Sequence, residues 1–166
     1  MLKVLVAIDQ ANLYYQLKEL GKKADFISLR NILVNPLDDR YEIDSYIYAP
    51  LPQNNAEGVI RWHDWLRSQG FVVVSKRAKL LPDGSSKCNL DSELILDMME
   101  ICNEVHPDVV VLVSGDGDFA SLCQRLRRKG IWVEVAGIER SIASELRFAV
   151  HRVIDLSEWF ACCEAL

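Results

Sequence analysis

Several features common in other classes of protein are absent or scarce in this sequence of 166 residues. No apolar run approaches the roughly 20 residues that a membrane-spanning helix needs. The apolar start of the chain reaches Asp9 before a signal-peptide core is complete, and no small-residue cleavage site follows. The 5 cysteines include no CxxC pair and no nearby histidine at zinc-finger spacing. We therefore expect a cytoplasmic protein with no membrane partner, whose thiols are reduced and whose Cys102 and Cys123 lie in the core.

The motifs of several phosphate-handling enzymes are also missing. No GxxxxGK[ST] is present, which excludes a P-loop NTPase, and no GxGxxG follows the first apolar run, which counts against a dinucleotide-binding fold. No GxSxG is present either, and a serine or cysteine nucleophile would lack its base. The first apolar run ends in one aspartate, without the second that haloacid-dehalogenase-type phosphatases carry two residues on. A phosphatase or nucleotide-binding domain of another doubly wound family is therefore the weakest function considered.

Basic residues are outnumbered, with 19 Lys and Arg against 24 Asp and Glu and a formal net charge of -5. This balance argues against a non-specific nucleic-acid coat or a basic membrane binder, although it leaves room for local basic patches. Hydrophobic residues make up 50% of the chain. The length suits one well-packed core and is too short for two ordinary domains, so we expect a single domain over residues 1–166.

Continuous apolar runs predict a parallel sheet in an α/β fold. The run from Val109 to Val113 is typical of a strand that is buried on both faces, which requires helices on each side of the sheet. Leu2 to Ile8 is a second run of this kind, and Tyr41 to Ala49 alternates apolar and polar residues as a strand does. Further strands are predicted at 71–75, 131–136 and 152–154, with helical spacing between them.

Aspartates follow the two most apolar strands. Asp9 ends the first run, and Asp116 and Asp118 follow the run from Val109 in the sequence Ser-Gly-Asp-Gly-Asp. Ligands of open α/β sheets bind outside the carboxyl ends of the strands, where these carboxylates are expected. The alternative is that they cap helices and complement the helix dipole. Asn12 likewise either caps the first helix or orients Asp9 or a bound water.

The predicted helix from Leu90 to Val105 adds two acids to this set. Its apolar stripe contains Leu90, Leu94, Met98, Ile101 and Val105. Asp91 and Asp97 fall near opposite edges of that stripe, so both lean inward, whereas Glu93 and Glu100 point further out. A carboxylate beside a buried stripe needs a partner, and a cation shared with Asp9 and Asp116 would be one. The alternatives are helix capping for Asp91 and an ion pair at the rim of the core for Asp97.

A set of aspartates without a histidine or cysteine cluster describes an all-oxygen site. Oxygen ligands suit Mg²⁺ or Mn²⁺, whereas zinc would ask for imidazole or thiolate. Gathered carboxylates also raise each other's pKa unless a cation neutralises them. Such an ion activates water and stabilises the charge that develops on a phosphate, so phosphodiester hydrolysis by water is the leading chemistry.

A basic segment between residues 76 and 89 is predicted to form a flap or hairpin, because a Pro-Asp-Gly turn separates its basic ends. Its cations are Lys76, Arg77, Lys79 and Lys87. They are either solvated or in contact with substrate phosphates. His63 lies between Trp62 and Trp65 at helical spacing, and we expect it at the surface.

Three segments together resemble the NYN domain of the PIN-like nuclease superfamily, in its LabA-like branch. They are Asp9-Gln10-Ala11-Asn12, Lys87-Cys88-Asn89-Leu90-Asp91 and Ser114-Gly115-Asp116-Gly117-Asp118-Phe119. The resemblance implies a three-layer α/β/α sandwich with a central, mainly parallel sheet, an Mg²⁺- or Mn²⁺-dependent acidic pocket and a ribonuclease of RNA processing or decay. It implies Asp9, Asp91, Asp116 and Asp118 as catalytic, metal-binding acids, with Asn12 beside Asp9 and Ser114 as a supporting hydroxyl.

One segment departs from the family pattern. Where the family usually has Lys-Gly-Val-Asp, this chain lacks the glycine and has one more residue between Lys87 and Asp91. The leading hypothesis is a metal-dependent ribonuclease acting on short single-stranded or structured RNA. The alternative is a non-catalytic regulatory or partner-binding module that retains the acidic pocket. The spacing of the 4 tryptophans does not assign them to core or interface, so a homodimer stays open.

Overall fold

A computed structural model describes residues 1–166 and places six parallel strands in one sheet. The strands of the protein are β1 (Leu2–Asp9), β2 (Arg40–Leu51), β3 (Val72–Arg77), β4 (Lys79–Leu80), β5 (Ser86–Lys87), β6 (Val109–Val113), β7 (Trp132–Gly137) and β8 (Arg152–Asp155). The sheet has the order β3-β2-β1-β6-β7-β8. The strands β4 and β5 form a separate antiparallel hairpin that follows β3 in the chain.

Helices cover both faces of this sheet. They are α1 (Gln10–Glu19), α2 (Phe26–Leu33), α3 (Glu57–Ser68), α4 (Asp91–Val105), α5 (Ala120–Arg128), α6 (Ser144–Ala149) and α7 (Ser157–Cys162). None of these helices has the length and apolar character that crossing a membrane requires. The core on one face is completed by α1, α2, α3 and α7, and the core on the other face by α4, α5 and α6. The predicted three-layer α/β/α fold with a parallel sheet is therefore confirmed.

The two central strands are buried on both faces, as their unbroken apolar runs predict. In β1, Val4 and Val6 face one core while Leu5 and Ala7 face the other. All of the residues of β6 are buried as well. Burying each such valine or leucine side chain contributes about 1.5–3 kcal/mol to the stability of the fold.

The strand order reverses between β1 and β6. From β1 the chain proceeds outward through β2 to β3, whereas β6 leads in the opposite direction to β7 and β8. Helices leave the carboxyl ends of β1 and β6 toward opposite faces of the sheet, which opens a crevice between them. Asp9 and Ser114 stand at the two sides of this crevice.

The buried faces of α3 and α4 differ from the prediction. His63 is buried, with 1% of its surface exposed, because the inward stripe of α3 runs through His63 and Leu66 and leaves Trp65 outside. Burial lowers the pKa of His63. In α4 the buried stripe continues from Met98 to Cys102, and Ile101 and Val105 are only half-buried.

The cysteines and tryptophans divide between core and surface. All 5 cysteines are free, and Cys102 and Cys123 are in the core as predicted. Trp159 is buried and Trp62 half-buried, whereas Trp65 and Trp132 are exposed. The exposed Trp132 ring stacks on His151, with 4.2 Å between the ring centroids.

Candidate metal centre

Three carboxylates converge at the carboxyl edge of the sheet. Asp91, Asp116 and Asp118 each place one oxygen so that all three atoms lie within 4.8 Å of one another. Asp116 and Asp118 belong to the turn after β6, and Asp91 opens α4 on the face of the sheet that this turn adjoins. The side chain of Asn89 accepts a hydrogen bond of 2.8 Å from the Asp91 amide, which fixes the start of the helix. We call these three residues the acidic triad.

The turn that carries two members of the triad is held by short polar bonds. Asp116 accepts a hydrogen bond of 2.9 Å from the amide of Asp118 and thereby caps the single 3₁₀ turn over Gly117–Phe119. Gly115 lies against the chain after β7, and a Cβ at this position would stand 2.7 Å from the carbonyl oxygen of Ser141. Only glycine fits here without moving backbone. The turn is therefore positioned both by its own bonds and by its neighbour.

Asp9 lies behind the acidic triad and is bonded within the protein. It is buried, and its Oδ2 accepts a hydrogen bond of 2.9 Å from the hydroxyl of Ser114. Its Oδ1 accepts from the Asn12 amide at 3.3 Å, so Asp9 is also the cap of α1. Burial raises the pKa of Asp9 despite these bonds, and nearby Asp116 adds to the rise.

Asn12 and Ser114 connect the ends of the two central strands. The Asn12 side-chain oxygen accepts from the Gly115 amide at 3.0 Å and from Gln16 at 3.1 Å. Ser114 donates to Asp9 and accepts a hydrogen bond of 3.1 Å from the Asp116 amide. The Asn12 side chain therefore does not cap α1, and instead holds the turn after β6 against the end of β1. Of the two roles considered for Asn12, capping is excluded.

The electrostatics of the cluster favour a cation. Burial, and then the charges of Asp9, Asp116, Asp118 and Glu93, raise the pKa of Asp91 from 3.8 to about 6. A carboxylate is destabilised in this way when its neighbours are negative and no positive charge compensates them. The donor atoms of the triad are all carboxylate oxygens, which is the chemistry that Mg²⁺ and Mn²⁺ prefer. The residues present therefore fit a hard divalent ion.

Asp97 and Glu93 lie on α4 outside the triad. Asp97 accepts a hydrogen bond of 3.0 Å from the hydroxyl of Tyr48, whose pKa is raised by burial and by this carboxylate. Glu93 accepts a bond of 2.7 Å from Lys76, and its other oxygen is buried without a partner. The sequence analysis placed Glu93 further out, whereas it is half-buried and adds to the field at Asp91. Because Glu93 lies in the same helical turn as Asp91, the sequence could have indicated that Glu93 is close to the site.

The four basic residues of the predicted flap differ in their surroundings. Lys76 pairs with Glu93, and Arg77 donates to the carbonyl oxygens of Pro52 and Gln53. Lys79 and Lys87 lie opposite each other in the hairpin of β4 and β5, both exposed and without an ion pair. Like charges facing each other across strands are unfavourable unless an anion lies between them. These two lysines are therefore the ones available to an external anion.

Comparisons with known proteins agree with the resemblance stated above. The family model described as NYN domain matches residues 3–157. The "Low amplitude and bright protein LabA" of Synechococcus elongatus is 33% identical over 165 residues, covering 94% of this chain and 84% of that protein. A crystal structure of a protein of unknown function from Vibrio parahaemolyticus superposes with a TM-score of 0.78 and 28% identity, covering 95% of this chain and 94% of that one.

Proposed function

The chain belongs to the NYN domain family in its LabA-like branch, and from this premise we propose that it is a metal-dependent ribonuclease. It would hydrolyse RNA phosphodiester bonds with an activated water, in RNA processing or decay. The family lies in the PIN-like nuclease superfamily, and the acidic triad fits a metal site. The observation that carries the proposal is the convergence of Asp91, Asp116 and Asp118 at the crevice of the sheet.

Asp91, Asp116 and Asp118 would hold Mg²⁺ or Mn²⁺, with Asp9 completing the negative field behind them. When bound, such an ion activates water and stabilises the charge that develops on the phosphate. One carboxylate of the set would accept the proton of the attacking water. Asn12 and Ser114 position the turn that carries Asp116, and Asp97 supports α4 through Tyr48.

The flap would supply phosphate contacts. Of the four flap cations, Lys79 and Lys87 are exposed and have neither an ion pair nor a side-chain hydrogen bond, and Lys87 precedes Asp91 by four residues. Lys76 pairs with Glu93, and Arg77 donates to two backbone carbonyls. Both residues hold the base of the flap and are therefore less free to contact substrate. With so few cations, short single-stranded or structured RNA is the expected substrate, bound in a salt-dependent way.

A cleavage assay tests this proposal. The protein is incubated with mixed RNA and DNA oligonucleotides in Mn²⁺, Mg²⁺ or EDTA, beside an Asp116→Asn variant. Asp64→Asn is the matched control, because Asp64 is an exposed carboxylate of α3 that pairs only with Arg67. RNA cleavage that requires metal, survives Asp64→Asn and is lost in Asp116→Asn supports the proposal. Cleavage that survives both EDTA and Asp116→Asn refutes it.

A non-catalytic regulatory or partner-binding module is the second candidate. It is favoured by the segment from Lys87 to Asp91, which lacks the glycine and has the additional residue noted above. Metal binding to the acidic triad without cleavage of any oligonucleotide would support it. The homodimer stays a prediction, which light scattering on the purified protein would test.

A further inference from the structure

A groove of about 700 Å³ runs from the carboxyl ends of β7 and β8, which lie on the same edge of the sheet as the acidic triad, along α7 to the chain after α1. Its walls include Ile138 and Arg140, which follow β7, and Asp155, which ends β8. Neighbouring strands are about 4.8 Å apart, so the distance along the edge from β1 to β8 is about 14 Å. The groove therefore begins within a few nucleotides' reach of the triad.

The wall of the groove is joined directly to the turn that carries Asp116. The amide of Ala143 donates a hydrogen bond of 3.0 Å to the carbonyl oxygen of Gly115. The segment Glu139–Ser141 lies so close to Gly115 that no side chain fits between them. The segment Glu139–Ser141 therefore borders both the groove and the turn that carries Asp116.

Three cations line this groove, and none of them is neutralised by an ion pair. Lys22, Arg140 and Arg147 are absent from every salt bridge of the structure. Lys22 is held by the carbonyl oxygens of Ala161 and Cys163, at 3.0 and 2.8 Å. Arg147 is held by the carbonyl oxygen of Glu139 at 2.9 Å. Both cations are held in place by backbone carbonyls and form no ion pair, so their charge contributes to the field of the groove.

Arg140 is the cation with the most freedom to bind a ligand. Its side chain is exposed and makes no hydrogen bond within the protein. The groove also has two acidic residues, Glu139 and Asp155. Asp155 accepts hydrogen bonds from the Ser157 hydroxyl at 2.6 Å, the Ser157 amide at 3.1 Å and the Glu139 amide at 3.2 Å. These bonds lower the pKa of Asp155 and occupy its Oδ1 atom.

We propose that this groove binds the phosphate backbone of the RNA strand on the side of the acidic triad away from the flap, through a direct contact of Arg140 in the positive field of Lys22 and Arg147. The inference rests on the proposed ribonuclease function. The carboxyl edge then carries cations on both sides of the acids, with Lys79 and Lys87 beside β3 and the groove beside β8. A strand held at both ends presents its middle to the triad.

The test is the salt dependence of RNA binding, measured by fluorescence anisotropy with a labelled single-stranded RNA in EDTA. Arg140→Ala is compared with Arg128→Ala, an exposed arginine in the last turn of α5 and outside the groove. Loss of one phosphate contact lowers the slope of log affinity against log salt by about 0.7 and weakens binding about fivefold near 0.1 M salt. We expect this change for Arg140→Ala and not for Arg128→Ala, with Arg140→Lys retaining the wild-type slope.

Other outcomes overturn the groove assignment. If Arg140→Ala and Arg128→Ala bind RNA with the same affinity and slope, the groove does not contact the backbone. If Arg140→Ala weakens binding to poly-glutamate as much as to RNA, the groove binds an acidic protein instead. Cleavage by the wild-type protein in Mn²⁺ is scored separately, so that failure of the proposed function is distinguished from failure of the groove assignment.

Discussion

Substitution of Asp91 by asparagine should stabilise the metal-free protein while removing its response to metal. The rise of the Asp91 pKa from 3.8 to about 6 is caused by burial and by four neighbouring acids. A shift of this size corresponds to at most about 3 kcal/mol of unfavourable free energy in the ionised state. Because Asp91 is partly exposed, solvent screening reduces the figure to about half.

The position of Asp91 in its helix opposes part of this gain. It lies in the first turn of α4, where a negative charge is stabilised by about 0.5 kcal/mol through the helix dipole. The net expectation for Asp91→Asn in EDTA at neutral pH is therefore an increase of about 1 kcal/mol in the free energy of unfolding. For a chain of this length that corresponds to a rise of about 2–4 °C in melting temperature.

The stabilising effect of Asp91→Asn should depend on pH. Between pH 3.8 and about 6 the folded state holds a proton on Asp91 that the unfolded state releases. The free energy of unfolding of the metal-free wild-type protein therefore falls as pH rises through that window. Asparagine does not titrate, so the variant shows no such fall. The difference in free energy of unfolding between the two proteins should therefore be small near pH 4 and complete above pH 6.

The assay is thermal unfolding followed by circular dichroism, in EDTA and then in excess Mn²⁺. At a concentration of about 100 times the dissociation constant, a bound ion stabilises the folded protein by about 2.7 kcal/mol, and the variant should lose most of this. Asp64→Asn should change stability by no more than about 0.5 kcal/mol and keep the response to Mn²⁺. A lower melting temperature of Asp91→Asn in EDTA, or an unaltered response to Mn²⁺, would refute the electrostatic reasoning.

Three further substitutions test the supports of the site. Gly115→Ala should lower the free energy of unfolding, measured in urea, by about 1–3 kcal/mol, because its Cβ would meet the Ser141 backbone. Gly58→Ala has open space around it and should raise the free energy of unfolding by about 0.4–1 kcal/mol. Equal effects of the two substitutions would count against the close packing of Gly115 on Ser141. Ser114→Ala removes the hydroxyl donor to buried Asp9 and should cost about 1–3 kcal/mol by the same measurement, whereas an unchanged midpoint would show the bond to be dispensable. Tyr48→Phe removes the bond to Asp97 and should cost about 0.5–1.5 kcal/mol, yet leave Mn²⁺ affinity in calorimetry unchanged, since Asp97 is outside the triad; a large loss of affinity would place Asp97 in the metal site.

Features that depend on local pattern could be predicted from the sequence. The apolar runs of β1 and β6 are long enough to identify buried parallel strands, and parallel pairing brings their carboxyl ends together. The proximity of Asp116 to Asp9 follows from that pairing. Asp91 was expected there because it opens a helix whose apolar stripe must face the sheet.

Features that depend on how distant elements meet could not be predicted in the same way. His63 was wrongly placed at the surface, because hydrophobic spacing alone does not show whether a polar ring shares the buried stripe of α3. The pairing of Lys76 with Glu93 depends on where the flap folds back onto α4. The groove beside Arg140 arises only once β7 and β8 pair and the chain after β7 closes over Gly115.

The most direct test of the acidic triad is a crystal structure of the protein with Mn²⁺, recorded at a wavelength where manganese scatters anomalously. We expect an anomalous peak within bonding distance, about 2.0–2.3 Å, of carboxylate oxygens from Asp91, Asp116 and Asp118. That peak should be absent from crystals of Asp116→Asn. A wild-type crystal in excess Mn²⁺ with no peak between these three residues would show that the acidic triad is not a metal site.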